Sequence, residues 1–259
     1  AGLGDADHVT AGDRDGDGLP EIPVSRIPDG HSAQLVFAAI QATPKTGGEQ
    51  RVGIRNIARP FAEAIFSRLP GQSSLLQSKP TIFNQQPAID LQAARVYFML
   101  HGSDMDSSRF FGEDPPGEYI EAVNVGNIPP QSQAVIFSGC CWGALTIATK
   151  ASLANRDRAN GQKASGASIA MTFLARGALA FVGCTGAHYS PLDPPFEYFG
   201  GPMHEAFWNN YNQGQPPAKA LFNAKIEYIK GMPHSRTELT DVAVEHKILR
   251  QYTCLGLGW

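Results

Sequence analysis

The chain has 259 residues, of which 42% are hydrophobic and 17% charged, and a formal net charge of −3. This fits one α/β domain, or two small ones, with a sizeable buried core. The charge makes no case for nucleic acid or an anionic membrane as partner, and no apolar run approaches the ~18 residues of a membrane-spanning helix.

The acidic stretch near the start alternates Asp13, Asp15 and Asp17 before Gly18. Alternating carboxylates followed by glycine form the first half of a calcium loop. A complete EF-hand needs glutamate where Val24 stands, so that reading fails. A simpler Ca2+ turn completed by Glu21 is expected, and a solvated acidic turn capping the next strand is the alternative. Helices are expected over 32–42 and 58–69, the second with Pro60 in its first turn. Val52-Gly53-Ile54 reads as a short strand. Residues 73–92 read as a polar loop carrying a strand at 81–83.

Val96 to Leu100 is an apolar run that reads as a buried strand, and it ends in His101-Gly102. Ala134 to Phe137 is a second such run, followed by Gly139-Cys140-Cys141-Trp142-Gly143. The interval accommodates a crossover, so the two strands are expected as parallel neighbours with imidazole and thiol at their carboxyl edge. A thiolate is a strong nucleophile, and an adjacent imidazole activates it. In this reading His101 is the base and acid, and Cys140 is the nucleophile. The N–H groups of Gly102 and Cys140 form an oxyanion hole. A helix beginning near Trp142-Gly143 aims its positive end at the sulfur. The loop 103–116 holds Asp104, Asp106, Glu113 and Asp114, which can orient His101, attract a basic substrate or be a plain exposed loop.

Further helices are expected at 169–174, 203–211, 216–229 and 238–250, and strands at 179–182 and 252–255. The loop 185–202 is rich in glycine and proline. Cys184 and Cys254 lie in or beside apolar strands and read as buried thiols. The four cysteines make no disulfide framework, and no Cys-x-x-Cys suggests zinc.

The segments Phe98-Met99-Leu100-His101-Gly102-Ser103 and Ile136-Phe137-Ser138-Gly139-Cys140-Cys141-Trp142-Gly143 resemble the motifs of caspase-fold cysteine peptidases. That clan includes caspases, legumain, clostripain, separase and gingipains. The similarity is greatest to the gingipain family. It extends over Asp13 to Pro28, with Ser25 in place of the usual glycine, and over Gly177 to Thr185. Gly256-Leu257-Gly258 departs from the family's Gly-Asp-Pro. The family also has a strand before the acidic turn, so the resemblance implies a trimmed chain or a shorter sheet.

The resemblance implies a single domain over 1–259. Its fold is a caspase-like three-layer sandwich with a mostly parallel central sheet flanked by helices. It implies a cysteine endopeptidase acting on protein or peptide substrates, secreted or at the cell surface, with 154–165 in the place of the cleavable caspase linker. Thr185, His188, Tyr189 and Asp193 would line the substrate pocket. Cleavage after Arg or Lys follows, with Asp193, Asp104 or Asp106 as the counter-charge. Arg26, Arg51, Arg55 and Arg59 could equally line an acid-accepting pocket. Two other readings stand beside this one. The first is an α/β-hydrolase-type esterase with Cys141 in a Gly-x-Cys-x-Gly elbow, Asp193 as the acid and a late histidine (His204, His234 or His246) as the base. The second is an inactive binding module on the caspase fold.

Overall fold

A computed structural model describes residues 22–28, 33–47, 50–78, 90–113, 117–147, 168–232 and 239–258. The expected calcium ligands Asp13, Asp15, Asp17 and Glu21, the segment 154–165, the strand at 81–83 and Asp114 lie outside the described residues, as does His234.

Eight strands are described: β1 (Arg51–Asn56), β2 (Leu76–Ser78), β3 (Arg95–Met99), β4 (Arg109–Glu113), β5 (Tyr119–Asn124), β6 (Val135–Ser138), β7 (Ala180–Cys184) and β8 (Tyr252–Gly256). The helices are α1 (Ala33–Gln41), α2 (Phe61–Ser67), α3 (Ile169–Ala175), α4 (Gly200–Asn212), α5 (Pro217–Gly231) and α6 (Leu239–Gln251). Six strands form one sheet in the order β2-β1-β3-β6-β7-β8. All neighbours pair in parallel except β8, which is antiparallel to β7. A separate antiparallel hairpin joins β4 to β5.

The central strands are apolar on both faces, because helices cover both. Val96, Phe98 and Ile136 point to one face, with residues of α1, α3 and the hairpin. Tyr97, Met99, Val135 and Phe137 point to the other, under α2, α4, α5 and α6. Each fully buried phenylalanine in these layers contributes on the order of 2 kcal/mol. The result is the expected three-layer sandwich, with helices on both faces of a mostly parallel sheet. An α/β-hydrolase fold is not what this chain adopts.

Two local expectations differ from the structure. Residues 141–147 form turns rather than a helix start: Gly143 N–H donates to Cys140 O at 3.1 Å and Leu145 N–H to Trp142 O at 3.1 Å. Trp142 has φ 49°, a left-handed value that breaks helical progress at that point. No helix dipole therefore points at the cysteines from Trp142. The loop expected over 103–116 is in part β4. Its five residues, Arg109 to Glu113, bury only Phe110 and Gly112 and were too few to stand out from the acidic residues around them.

Candidate active site

Parallel pairing of β3 with β6 puts Phe98 opposite Ser138, and Gly139 N–H donates to Phe98 O at 2.8 Å. Continuing that register past both strand ends brings His101-Gly102 beside Cys140-Cys141. The approach is so close that a Cβ on Gly102 would stand 1.9 Å from Cys141 O, so only glycine fits there.

The two thiols meet different surroundings. Cys140 is fully buried, and burial pushes its thiol up to about 12. It packs with the core layer of Val96 and Phe98. Its N–H points to Ser138 Oγ at 3.3 Å and is not free to receive an oxyanion. Cys141 is half-buried. Its sulfur accepts from His188 N–H at 3.2 Å. Burial raises the Cys141 thiol, while that N–H and the positive charges of Arg59 and Lys247 oppose the rise. The N–H groups of Gly102 and Cys141 donate to no backbone carbonyl among the described residues.

The hairpin holds His101. His101 and Phe111 exchange both main-chain hydrogen bonds at 2.8 Å, an antiparallel bridge. Residues two apart on a strand share a face, so Glu113 is carried to the same imidazole. Glu113 Oε2 lies 3.0 Å from His101 Nε2. Tyr119, opposite Glu113 in the hairpin, sets its ring 4.4 Å from the His101 ring. Burial lowers the His101 pKa from its usual value. The Glu113 hydrogen bond opposes that change and the Arg59 charge adds to it. Hydrogen bonding from His101 keeps the Glu113 carboxyl below its ordinary range.

Arg59 follows β1 at the same sheet edge and is half-buried. Its charge is felt by His101, Glu113, Cys141 and His188. Its guanidinium donates to Ala58 O at 3.0 Å, and it forms no ion pair among the described residues. The other arginines named above serve elsewhere. Arg51 bonds Ser73, Phe66 and Leu69 carbonyls, Arg55 pairs with Glu63, and Arg26 reaches Thr253.

The expected pocket residues divide. Thr185 is exposed, and its hydroxyl donates to Gln251 O at 3.3 Å. Tyr189 is 38% exposed, and the Lys247 ammonium lies 4.8 Å from its ring centre. Asp193 is exposed, and its loop is tied to the Tyr198 hydroxyl. The His188 ring turns inward, away from any substrate, and lies 3.0 Å from His204. Asp106 is committed to Arg109 and Ser108. Glu113 had been one of four acids in an apparent loop, and Arg59 one of four arginines. Only the folded register singles them out. Among the described residues no group of His, Cys, Asp or Glu could hold a metal ion.

Neither the family models nor the curated proteins compared with this sequence give a match. Among solved structures, the chain superposes on the Arg-specific cysteine proteinase gingipain R with a TM-score of 0.57 and 14% identity, covering 92% of this chain and 55% of that one. A second structure, described only as a protease, gives a TM-score of 0.55 and 13% identity with the same coverages, 92% and 55%. The chain thus spans about half the length of the structures it matches. It has the caspase-like fold of the gingipain structure.

Proposed function

We propose that the chain is a cysteine endopeptidase with Cys141 as nucleophile, His101 as base and acid, and Glu113 orienting the imidazole. The observation that carries this reading is the 3.0 Å contact of His101 Nε2 with Glu113, at the strand end beside a half-buried thiol. With Nε2–H donated to the carboxylate, Nδ1 is left to take the thiol proton. The sulfur then attacks the scissile carbonyl carbon, and the oxyanion is received by the N–H groups of Gly102 and Cys141. His101 returns the proton to the leaving amine as the C–N bond breaks. Water, deprotonated by the same ring, hydrolyses the thioester.

This assignment moves the nucleophile one residue from the sequence expectation. The 0% exposure of Cys140, against a half-buried Cys141, supports that choice. The oxyanion donor expected at Cys140 moves with it to Cys141. The late histidines required by the esterase reading gain nothing: His204 is fully buried, and His246 lies exposed on α6. Labelling the folded chain with a thiol-reactive peptidyl probe, followed by mass spectrometry, tests the assignment. Label on Cys141 supports it; a probe that labels no thiol supports the inactive binding module.

The Arg-specific neighbour and the acids near His101 support cleavage after Arg or Lys. The charges nearest the nucleophile support a different choice, and we favour an acidic residue before the cleaved bond. Arg59 and Lys247 surround Cys141, whereas Asp193 is exposed and Glu113 is engaged by His101. A basic side chain entering beside Arg59, which has no ion-pair partner among the described residues, meets a like charge in a half-buried place. Calcium binding by Asp13, Asp15, Asp17 and Glu21 is a separate proposal that rests on the sequence pattern alone; a calcium-dependent rise in Tm tests it.

A further inference from the structure

The proposed chemistry makes no use of the rings of His188 and His204, yet both are buried at the back of the site. His204 comes from α4 and is fully buried. Its Nδ1 lies 2.9 Å from the Tyr97 hydroxyl on β3, and its Nε2 lies 2.7 Å from the Tyr252 hydroxyl on β8. The same Nε2 lies 3.0 Å from His188 Nε2. Tyr97 thus holds one side of the ring, and the single hydrogen or lone pair of Nε2 is shared between Tyr252 and His188 on the other.

Room for both rings is built into the backbone. A Cβ on Gly200 would stand 2.2 Å from His188 Nε2, and one on Gly139 would stand 2.5 Å from His204 Cε1. Burial keeps both imidazoles neutral, with His188 pushed down to about 3 and His204 well below its usual value. Two neutral rings can meet nitrogen to nitrogen only if one carries the proton and the other accepts. In one arrangement His188 Nε2–H donates to His204, whose Nδ1–H donates to Tyr97. In the other His204 Nε2–H donates to His188, and the Tyr97 hydroxyl donates to Nδ1. Either arrangement holds the His188 residue in place. Its main-chain N–H meets Cys141 Sγ at 3.2 Å, while its carbonyl accepts from the same thiol at the longer distance of 3.6 Å.

We propose that His204 is a positioning residue for the nucleophile: through the His188 ring it fixes the His188 N–H on the Cys141 sulfur, where that N–H stabilises the thiolate. The inference rests on Cys141 being the reactive thiol. A hydrogen bond to an anion is stronger than one to a neutral group, so the N–H favours thiolate over thiol. Without His204 the His188 ring would carry a buried nitrogen with no partner. It would turn toward water and draw its own N–H off the sulfur.

The test is the rate of iodoacetamide alkylation at Cys141 of the full chain, read by peptide mass spectrometry from pH 5 to 10. Circular dichroism establishes that each variant is folded. In His204→Phe the rate at pH 7 should fall about tenfold while the high-pH limit stays unchanged, because only the thiolate fraction is altered. His204→Gln, which can both donate and accept, should recover part of the loss. A folded His204→Phe chain whose alkylation curve superimposes on the wild type overturns the proposal. If His204→Phe does not fold, Tyr97→Phe and Tyr252→Phe, each lacking one hydroxyl, are read by the same curve. A shift toward higher pH supports the network, and superposition overturns it. Alkylation of Cys140 in place of Cys141 in the wild type removes the nucleophile assignment and the proposal together. Alkylation of Cys141 with an unchanged curve in the variants removes only the network.

Discussion

Glu113 Oε2 stands 3.0 Å from His101 Nε2, and the two residues come from a strand end and a hairpin that meet through main-chain hydrogen bonds. In the proposed mechanism the contact commits Nε2 and leaves Nδ1 to take and return the proton. It also sets how the pair responds to pH. Burial and Arg59 lower the His101 pKa, and Glu113 raises it. In Glu113→Gln the raising influence is gone, so the acidic limb of kcat/KM should move to lower pH. The rate should also fall by about 10- to 100-fold as the ring loses its orientation. Arg59→Ala should move the same limb to higher pH. A pH–rate profile in which both variants shift in one direction contradicts the arrangement.

Cys141→Ala should abolish peptide hydrolysis with the melting curve retained. Cys140→Ala should keep the chemistry and lose stability, by about 1 kcal/mol for removal of a small buried side chain from a packed layer. The two variants, compared for fluorogenic peptide turnover and for Tm, separate a reactive thiol from a core thiol. The opposite pattern restores Cys140 as nucleophile.

Gly102→Ala should be inactive, because the added methyl meets Cys141 O at 1.9 Å and pushes the strand ends apart. Measured loss should fall mainly on kcat, since the displaced N–H serves the oxyanion rather than substrate docking. Unchanged kcat in this variant would argue that the oxyanion is received elsewhere.

Matched peptides with Asp, Glu, Asn, Arg or Lys before the reporter group measure specificity. Acidic peptides should be preferred, and Arg59→Glu should lower their turnover while raising that of basic ones. A wild-type preference for Arg or Lys would favour the counter-charges on the 103–116 and 185–202 loops and leave the Cys141 mechanism standing.

His188 and His204 should make the fold labile to mild acid. Both are held neutral in the folded chain, His188 down to about 3, with Arg59 adding to burial for His188, and His188 itself adding to burial for His204. The unfolded chain takes up protons below about 6.5, so stability falls as pH drops through that value, by up to about 1.4 kcal/mol per pH unit for each ring. His101, also lowered, adds to the same slope. Urea midpoints should therefore drop between pH 6.5 and 5, where carboxylates are still ionised, and the drop should be shallower in His188→Gln. Equal slopes in the two chains would show that His188 does not resist protonation.

The central strands were legible because each is a continuous apolar run closed by glycine, and the helices because of their capping prolines and apolar spacing. Both strand ends at which the candidate site lies were recognisable for the same reason. The different burial of Cys140 and Cys141, on which the proposed choice of nucleophile rests, was not, because adjacent residues differ only in which side of the chain faces the core, and that depends on packing past the strand end. Glu113 was named but could not be distinguished, since its role depends on the bridge between Phe111 and His101, two positions that no local pattern links. His188 and His204 were named for other roles, a pocket residue and a candidate base, and nothing local pairs them: their contact appears only when Tyr97 and Tyr252 are brought to His204 from other strands.

The antiparallel β8 strand has a consequence for self-association. An exposed terminal strand invites a second chain to add to it, and the outcome is sheet extension or fibres. Here Arg26 lies along the outer side of β8, with its N–H donating to Cys254 O at 3.0 Å and its carbonyl accepting from Gly256 N–H at 2.8 Å. Ser25 Oγ donates to Leu257 O at 2.6 Å beside them. Residues 25 and 26 thus cover this stretch of β8, and a second copy pairing there would first displace them. Shortening the chain past Arg26 should therefore be felt first as a loss of colloidal behaviour, before any change around His101 and Cys141.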